Sequence, residues 1–395
     1  MKNLQMKYNL LHFFFFISYC AVLGFTAVLL QYKGMSNSLI GIVTGGGALA
    51  SILISPWISS LPDKNPDITM RKLIVWILLY SMVSFCIIGF LPLPDVIIIG
   101  IYILLICVHG SIIPFLSAIC MDYIKAGHNI NFGLARGLGS VSYAISAVVI
   151  GRLVDLINPL VTVIVFLVSA LLCLMMVKIL PVTKESAPSG GEKAKGVSMP
   201  GLIRKYRTYF LILLGISLPF AAASALATYL INIVRHLGGS ASLYGIVIFA
   251  MAFSEMPAMA ITPRLMRRYS PETILAFAAG AYVVRNVIIC LAPDIPILIL
   301  GVLFQSVSYG FFTAVVAYYV ARRLDRQDQI MGQTLAAVMT TGLGATIGNL
   351  AGGFLQDTLG LESMYVFSIV LSILGAVIVL VSVFADQKKK KETRA

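Results

Sequence analysis

Hydrophobic residues run along this chain in blocks of about 20, separated by short polar breaks. A block of that length crosses the apolar core of a bilayer as an α-helix. Twelve such blocks can be placed, at 8–30, 38–61, 73–92, 96–120, 131–155, 160–181, 208–233, 241–263, 273–292, 296–320, 332–355 and 364–385. Some, such as VIIIGIYILLICV, are rich in β-branched residues. Their length still argues for helix, because an open sheet edge leaves backbone groups unpaired in lipid. Most breaks are short. The exception is 182–207, rich in Pro, Ser, Gly and Lys, which reads as a flexible linker. The pattern predicts an all-α integral membrane protein of twelve transmembrane helices in two pseudo-symmetric halves. The N-terminal half is 1–181, the cytoplasmic linker 182–207, the C-terminal half 208–386, and a basic tail follows at 387–395.

The halves share a plan. A basic connection follows the second block (PDKNPDITMRK) and the eighth (PRLMRRYSPE). A small-residue block ends in an acid at the fifth (IGRLVD, Asp155) and the eleventh (AGGFLQD, Asp357). Glycines recur every fourth residue at Gly344, Gly348 and Gly352, and at Gly41 and Gly45. That spacing lets helices approach closely, and both series read as packing faces between the halves.

Composition removes the soluble alternatives. Of 395 residues, 59% are hydrophobic and 11% charged, and the mean hydropathy is +0.95, too little charge to cover a soluble surface. The net charge of +13 would suggest nucleic acid in a soluble protein. Here topology explains it. With the N-terminus cytoplasmic, 24 of the 29 Lys and Arg fall on that side, three on the other and two inside blocks. Both termini are therefore expected in the cytoplasm, with the chain in the cell membrane and lipid, not nucleic acid, as its surroundings. The first apolar block is too long for a signal-peptide core. The six Cys lie singly in apolar stretches and the four His show no metal spacing, so no metal is expected. GGEKAKG lacks the Gly-Lys-Ser/Thr order of a phosphate loop, so neither ATP nor another cofactor is expected. No nucleophile–base arrangement suggests an enzyme.

Charge inside an apolar block is costly, so such residues are candidates for function. Arg136 opens the fifth block. Helical steps from it reach Gly139, Ser140 and Tyr143, which gives one face a cation, two small residues and a ring with a hydroxyl. Its planar fork suits a carboxylate or paired hydroxyls; the plainer reading is a structural Arg neutralised by Asp122. Asp122 is itself either that partner or an ordinary helix-end acid. Tyr143 could stack on a solute or merely pack, and Ser140 could bind or merely permit close packing. Glu255 is the one acid well inside a block, able to take and release a proton if its carboxyl is not permanently paired. Arg285 is its candidate counter-ion, in either a structural or an exchanging pair. Gln305 and Ser308, three apart in the tenth block, could line a cavity or bridge helices.

The chain resembles the major facilitator superfamily, in the branch around lactose permease that also holds nucleoside and aromatic-acid permeases. LLHFFFFISY is similar to the Phe-rich first helix of that branch. SSLPDKNPDITMRK is similar to a degenerate form of the loop after helix two, with Ser59 where Gly is usual. FGLARGLGSVSYA matches its helix-five motif. FSEMPA with Glu255 and YVVRNVI with Arg285 resemble the helix-eight Glu and helix-nine Arg of the sugar permeases, and MGQTLAAVMTTGLGATIGNLAGGFLQDTLG resembles helix eleven. The resemblance implies alternating access between two six-helix halves, substrate contact at Arg136, and Tyr143 in place of a Trp. One departure stands out. The His and Glu of helix ten, the second of which takes part in proton coupling, are matched by Gln305 and Ser308, which carry no proton at physiological pH. The function expected is proton symport of a small polar solute such as a sugar or nucleoside by a monomer. Glu255 would carry the proton beside Arg285, and Arg136, Tyr143, Ser140, Asp122, Gln305 and Ser308 would face the solute. An importer of organic or aromatic acids, and a proton-antiport exporter of lipophilic compounds, remain open alternatives, as does a receptor without a transport cycle.

Overall fold

The computed structural model describes residues 3–65, 68–181 and 198–392. Among them there are helices and connections and no strand. Twelve helices are long and apolar enough to span a membrane. They are α1 (Leu4–Gly24), α2 (Asn37–Ser59), α3 (Met70–Phe90), α4 (Asp95–Lys125), α5 (Phe132–Leu156), α6 (Val161–Ile179), α7 (Arg207–Thr228), α8 (Ala241–Arg268), α9 (Pro271–Cys290), α10 (Ile295–Arg323), α11 (Arg326–Leu359) and α12 (Leu361–Asp386). Each matches a block placed from the sequence. Of the linker, 182–197 lie outside the described residues, and Met199–Lys205 forms a short helix. The tail placed at 387–395 is in part helix, since the helix of α12 runs on to Glu392; residues 393–395 lie outside the described residues.

Local chemistry sets the helix starts. Side chains of Ser36, Thr69, Asn131, Ser270 and Asp294 accept from the backbone N–H three residues on, capping α2, α3, α5, α9 and α10. Each satisfies a donor that the helix itself cannot. Among the described residues three helices contain a π-helical turn, and α4 is interrupted for one residue at Ser111. π-helical turns occur at Cys20–Gly24 in α1, Ser306–Gly310 in α10 and Val338–Gly344 in α11. Such turns rotate the residues that follow about the helix axis.

The chain forms two compact units, Met1–Gly190 with Gly238–Ala252, and Gly191–Leu237 with Phe253–Ala395. The first unit includes the opening turns of α8, and local contacts explain why. The Asp155 carboxylate at the end of α5 accepts from the N–H of Ala241 (3.0 Å) and of Ser242 (2.8 Å), and from the Ser242 hydroxyl. A negative charge there also opposes the positive end of the α8 dipole. Gly151 and Gly245 bring the two backbones together; a Cβ on either would collide with the carbonyl of Ala241 or Ala147. Tyr244 donates its hydroxyl to the Gly24 carbonyl of α1. Elsewhere in this unit α1 packs on α5 and α6, and α2 on α4, with Gly46 and Gly47 against Ile103 and Ile106.

In the second unit α7 is central, packed on α11 and α12. Here the glycine series corrects the expectation. Gly344, Gly348 and Gly352 face Ser217, Ala221 and Ala225 of α7, a helix of their own half. The spacing marks a close helix approach but does not say which helix approaches. At the helix ends Lys205 bonds to Asp325 (2.6 Å) and to the fully buried Asp328 (2.7 Å). Hydrogen bonds from Lys205 hold the Asp325 carboxyl below the usual carboxylate range, and bonding to Asp325 and then Asp328 raises the Lys205 ammonium. Arg323 pairs with Glu272 in the first turn of α9 (2.8 Å).

Candidate functional site

In the first unit the site is built on α1 and α5. Arg136 is exposed, and its guanidinium lies over the Phe16 ring, 4.6 Å from the centroid. Such a stack is worth about 0.5–1 kcal/mol at an exposed site. One Nη also donates to Ser140 Oγ, 3.0 Å away. Gly139 makes this possible, because a Cβ there would collide with the Phe16 ring. The expected face of Arg136, Gly139 and Ser140 is thus assembled, with Phe16 added to it. Tyr143 follows on the same helix. Its ring is 6.4 Å from that of Tyr19, and its hydroxyl lies against Gly24, where a Cβ would stand 3.1 Å away. Asp122 is not brought to Arg136. Among the described residues no hydrogen bond or ion pair joins the two, and the charge beside Asp122 is Lys125, one turn on in α4. The plainer reading of Asp122, a helix-end acid, fits its position.

Two histidines that were not among the residues expected from the sequence join this region. His12 is 1% exposed and ringed by Tyr8, Phe16 and Phe132, and neither ring nitrogen has a hydrogen-bond partner among the described residues. His109 is buried against Phe15, Tyr19 and Phe166, with Nε2 3.1 Å from Ser18 Oγ. The available signal was His12 falling one turn before Phe16 on a Phe-rich helix.

In the second unit the site is built on α8, α9 and α10. Glu255 is half-buried, and Gln305 donates Nε2–H to its Oε1 at 3.1 Å. Gly310 keeps α10 close to α8: a Cβ there would stand 3.2 Å from that of Ala258 and 3.7 Å from the Glu255 carbonyl. Arg285 is 1% exposed, among the largest fully buried side chains of the described residues. One Nη donates to Asn286 Oδ1 at 2.7 Å. Asn286 in turn donates to Ser372 Oγ (2.8 Å) and the Pro219 carbonyl (3.3 Å), so it orients Arg285 from a fixed point. Glu255 and Tyr282 lie within electrostatic range of Arg285. The expected pair Glu255 and Arg285 thus lies within electrostatic range, and Gln305, expected only to line a cavity or bridge helices, bonds Glu255. Ser308 is not part of that group in the way expected: it is fully buried and donates to the Phe304 carbonyl of its own helix at 2.8 Å. The π-helical turn at Ser306–Gly310 alters the simple three-residue spacing between them. Among the described residues no cluster of His, Cys, Asp and Glu has the arrangement to hold a metal.

A polar cluster buried in apolar helices is what a solute-handling membrane protein needs, and the family comparison decides the class. Residues 5–367 match the model of the MFS_1 like family. The chain belongs to that family. This MFS_1-like protein is a transporter, as its relatives are, and not an enzyme. It is 23% identical to the maltose permease of Geobacillus stearothermophilus, over 94% of this chain and 93% of that one. It is 24% identical to the probable 3-phenylpropionic acid transporter of Escherichia coli, over 91% and 93%. Its fold is similar to the crystal structure of the nucleoside transporter NupG, with a TM-score of 0.80 at 14% identity, over 96% of this chain and 98% of that one. The twelve helices of this MFS_1-like transporter thus carry the major facilitator fold in its two six-helix halves.

Proposed function

We propose that this transporter is a proton-coupled importer of a small polar solute, such as a sugar or nucleoside, working by alternating access. The observation that carries the proposal is the group formed by Glu255, Gln305 and Arg285: a half-buried carboxylate bonded to a neutral amide beside a buried cation. A carboxylate so placed can take a proton as it leaves the range of its cation. In this reading Glu255 carries the proton and Arg285 is its counter-ion. Arg136, with Ser140 and Tyr143, holds the solute, and Gln305 contributes from α10, whereas Ser308 is fully buried and bonded within its own helix. Asp122 is the weakest member of the set, as its neighbour is Lys125. The protein works as a monomer in the cell membrane with both termini cytoplasmic, and its halves are 1–181 and 208–386 joined by the cytoplasmic linker 182–207.

One observation favours a second reading, import of an organic or aromatic acid. Arg136 is exposed and lies on an aromatic ring, with Tyr19 and Tyr143 nearby. A carboxylate could take the guanidinium fork while an apolar body meets the rings. The relative named for 3-phenylpropionic acid supports this reading, as the maltose permease supports the first.

Accumulation and exchange separate the roles. Vesicles holding wild-type protein are expected to concentrate one member of a panel of maltose, uridine and 3-phenylpropionate when a proton gradient is imposed. Glu255→Gln is expected to abolish accumulation while leaving exchange of the same solute. Accumulation that persists in Glu255→Gln would overturn the proton assignment.

A further inference from the structure

Gln305 occupies an unusual position. Its Nε2–H is spent on Glu255 Oε1, yet its own Oε1 is buried and has no hydrogen-bond partner among the described residues. A buried acceptor left unmade is costly, and the cost demands an explanation. The amide orientation itself follows from electrostatics. An ionised carboxylate is an acceptor only, so a carboxamide beside it must turn its NH₂ inward. Turning the oxygen inward would set a carbonyl dipole against a negative charge. Glu255 in its ionised form therefore fixes Gln305 with Oε1 facing away.

Protonation reverses the balance. A proton taken from water onto a Glu255 oxygen makes that oxygen a donor. The carboxamide can then turn so that Oε1 accepts the Glu255 O–H, which satisfies the orphaned oxygen. Its NH₂ now keeps at least one N–H for a third group. We propose that Gln305 reads the protonation state of Glu255 and presents it to the solute, as an acceptor beside ionised Glu255 and as a donor beside protonated Glu255. No covalent bond changes; the one proton moved is that on Glu255.

This inference rests on Glu255 being the proton carrier and deepens that reading in two ways. It supplies the link between proton and solute at the place where the resembling permeases have a titrating pair and this chain has none. It also states what the solute presents there: an atom that only accepts hydrogen bonds, such as a carbonyl, carboxylate, ring oxygen or ring nitrogen. Gln305 Oε1 is closed off in this structure, so the solute meets the amide only when the transport cycle opens the pair; such an atom is then bound when Glu255 is protonated and repelled by Oε1 when the proton leaves. A hydroxyl can donate or accept, so it would meet either orientation and be coupled less tightly. The charged and titratable groups around the pair are on α9 and α10: Tyr282 lies in range of Arg285, Tyr309 and Glu255, and Cys290 lies beside Arg285. The Tyr282 hydroxyl is likewise buried without a hydrogen-bond partner among the described residues.

Infrared difference spectroscopy of the reconstituted protein tests this without a solute, using a pH jump as the probe and glutamine labelled with ¹⁵N in the side-chain amide. A carboxylic-acid band is expected to appear on acidification, together with a shift of a labelled amide band. Glu255→Gln should remove both. Gln305→Met should remove the amide shift and keep the acid band, which also reports that the variant is folded. If that variant does not assemble, Gln305→Asn carries the same comparison, with the amide shift lost or displaced. An acid band that survives Glu255→Gln would overturn the proton-carrier reading, and this inference with it. An acid band lost in Glu255→Gln with no amide shift assignable to Gln305 would overturn this inference alone.

Discussion

Arg136 and Arg285 are both arginines in apolar helices, and the protein treats them in opposite ways. Arg136 is exposed, resting on Phe16 and bonded to one serine. Arg285 is 1% exposed and anchored through Asn286 to Ser372 and the α7 backbone. The first can change partners at little cost. The second has its position fixed by groups that also satisfy one another. An exposed cation suits contact with a solute that must come and go, and an anchored one suits holding a carboxylate whose charge must be controlled.

The largest effect is expected where that anchoring is removed. Arg285→Met takes from the buried Asn286 Oδ1 the charged donor it accepts from, and such a hydrogen bond is worth about 1.5–3 kcal/mol. The purified variant should show a clearly lower melting temperature and no uphill transport. A normal melting temperature would mean that Arg285 does not organise the second unit. Arg136→Met should separate the two arginines. Its thermal stability should change by no more than about 0.5 kcal/mol, as for most exposed positions. Loss of hydrogen bonds to a charged group should weaken solute affinity by about 1.5–3 kcal/mol, read by equilibrium binding. Equal losses of stability in the two variants would erase the contrast.

Lys205 gives the smallest effect and a third kind of cation, one exposed and paired with Asp325, outside the spans, and with Asp328 in the first turn of α11. Because the folded Asp325 carboxyl is held low, its contribution is present above the ordinary carboxylate range and is lost as pH falls through the folded value. The raised Lys205 ammonium contributes below its ordinary value and loses that contribution only as pH rises past the folded one. The melting-temperature difference between wild type and Lys205→Met should therefore be flat through neutral pH and shrink below about pH 4. A difference that grew on acidification would contradict the pairing.

The twelve spans were legible because a membrane helix needs one long apolar run, and nothing else in a sequence looks like that. Arg136, Glu255 and Arg285 were legible for the converse reason, as charges where charge is costly. What surrounds them was not. Asn286 and Tyr282 sit beside Arg285 in the chain, but their significance comes from Ser372, Pro219 and Glu255, far away in sequence. The π-helical turn at Ser306–Gly310 carries no mark in composition, so the relation of Ser308 to Gln305 could not be foreseen. The glycines of α11 showed that some helix comes close, and only the structure supplies α7.

The central claim is that a proton on Glu255 is moved together with the solute. Proton movement in an unbuffered suspension of de-energised cells tests it most directly, with maltose, uridine and 3-phenylpropionate added in turn. The account predicts alkalinisation on adding one of them, lost in Glu255→Gln and in Arg136→Met. Transport of one of these solutes by the wild-type protein with no change in external pH, or with an unaltered change in Glu255→Gln, would contradict it.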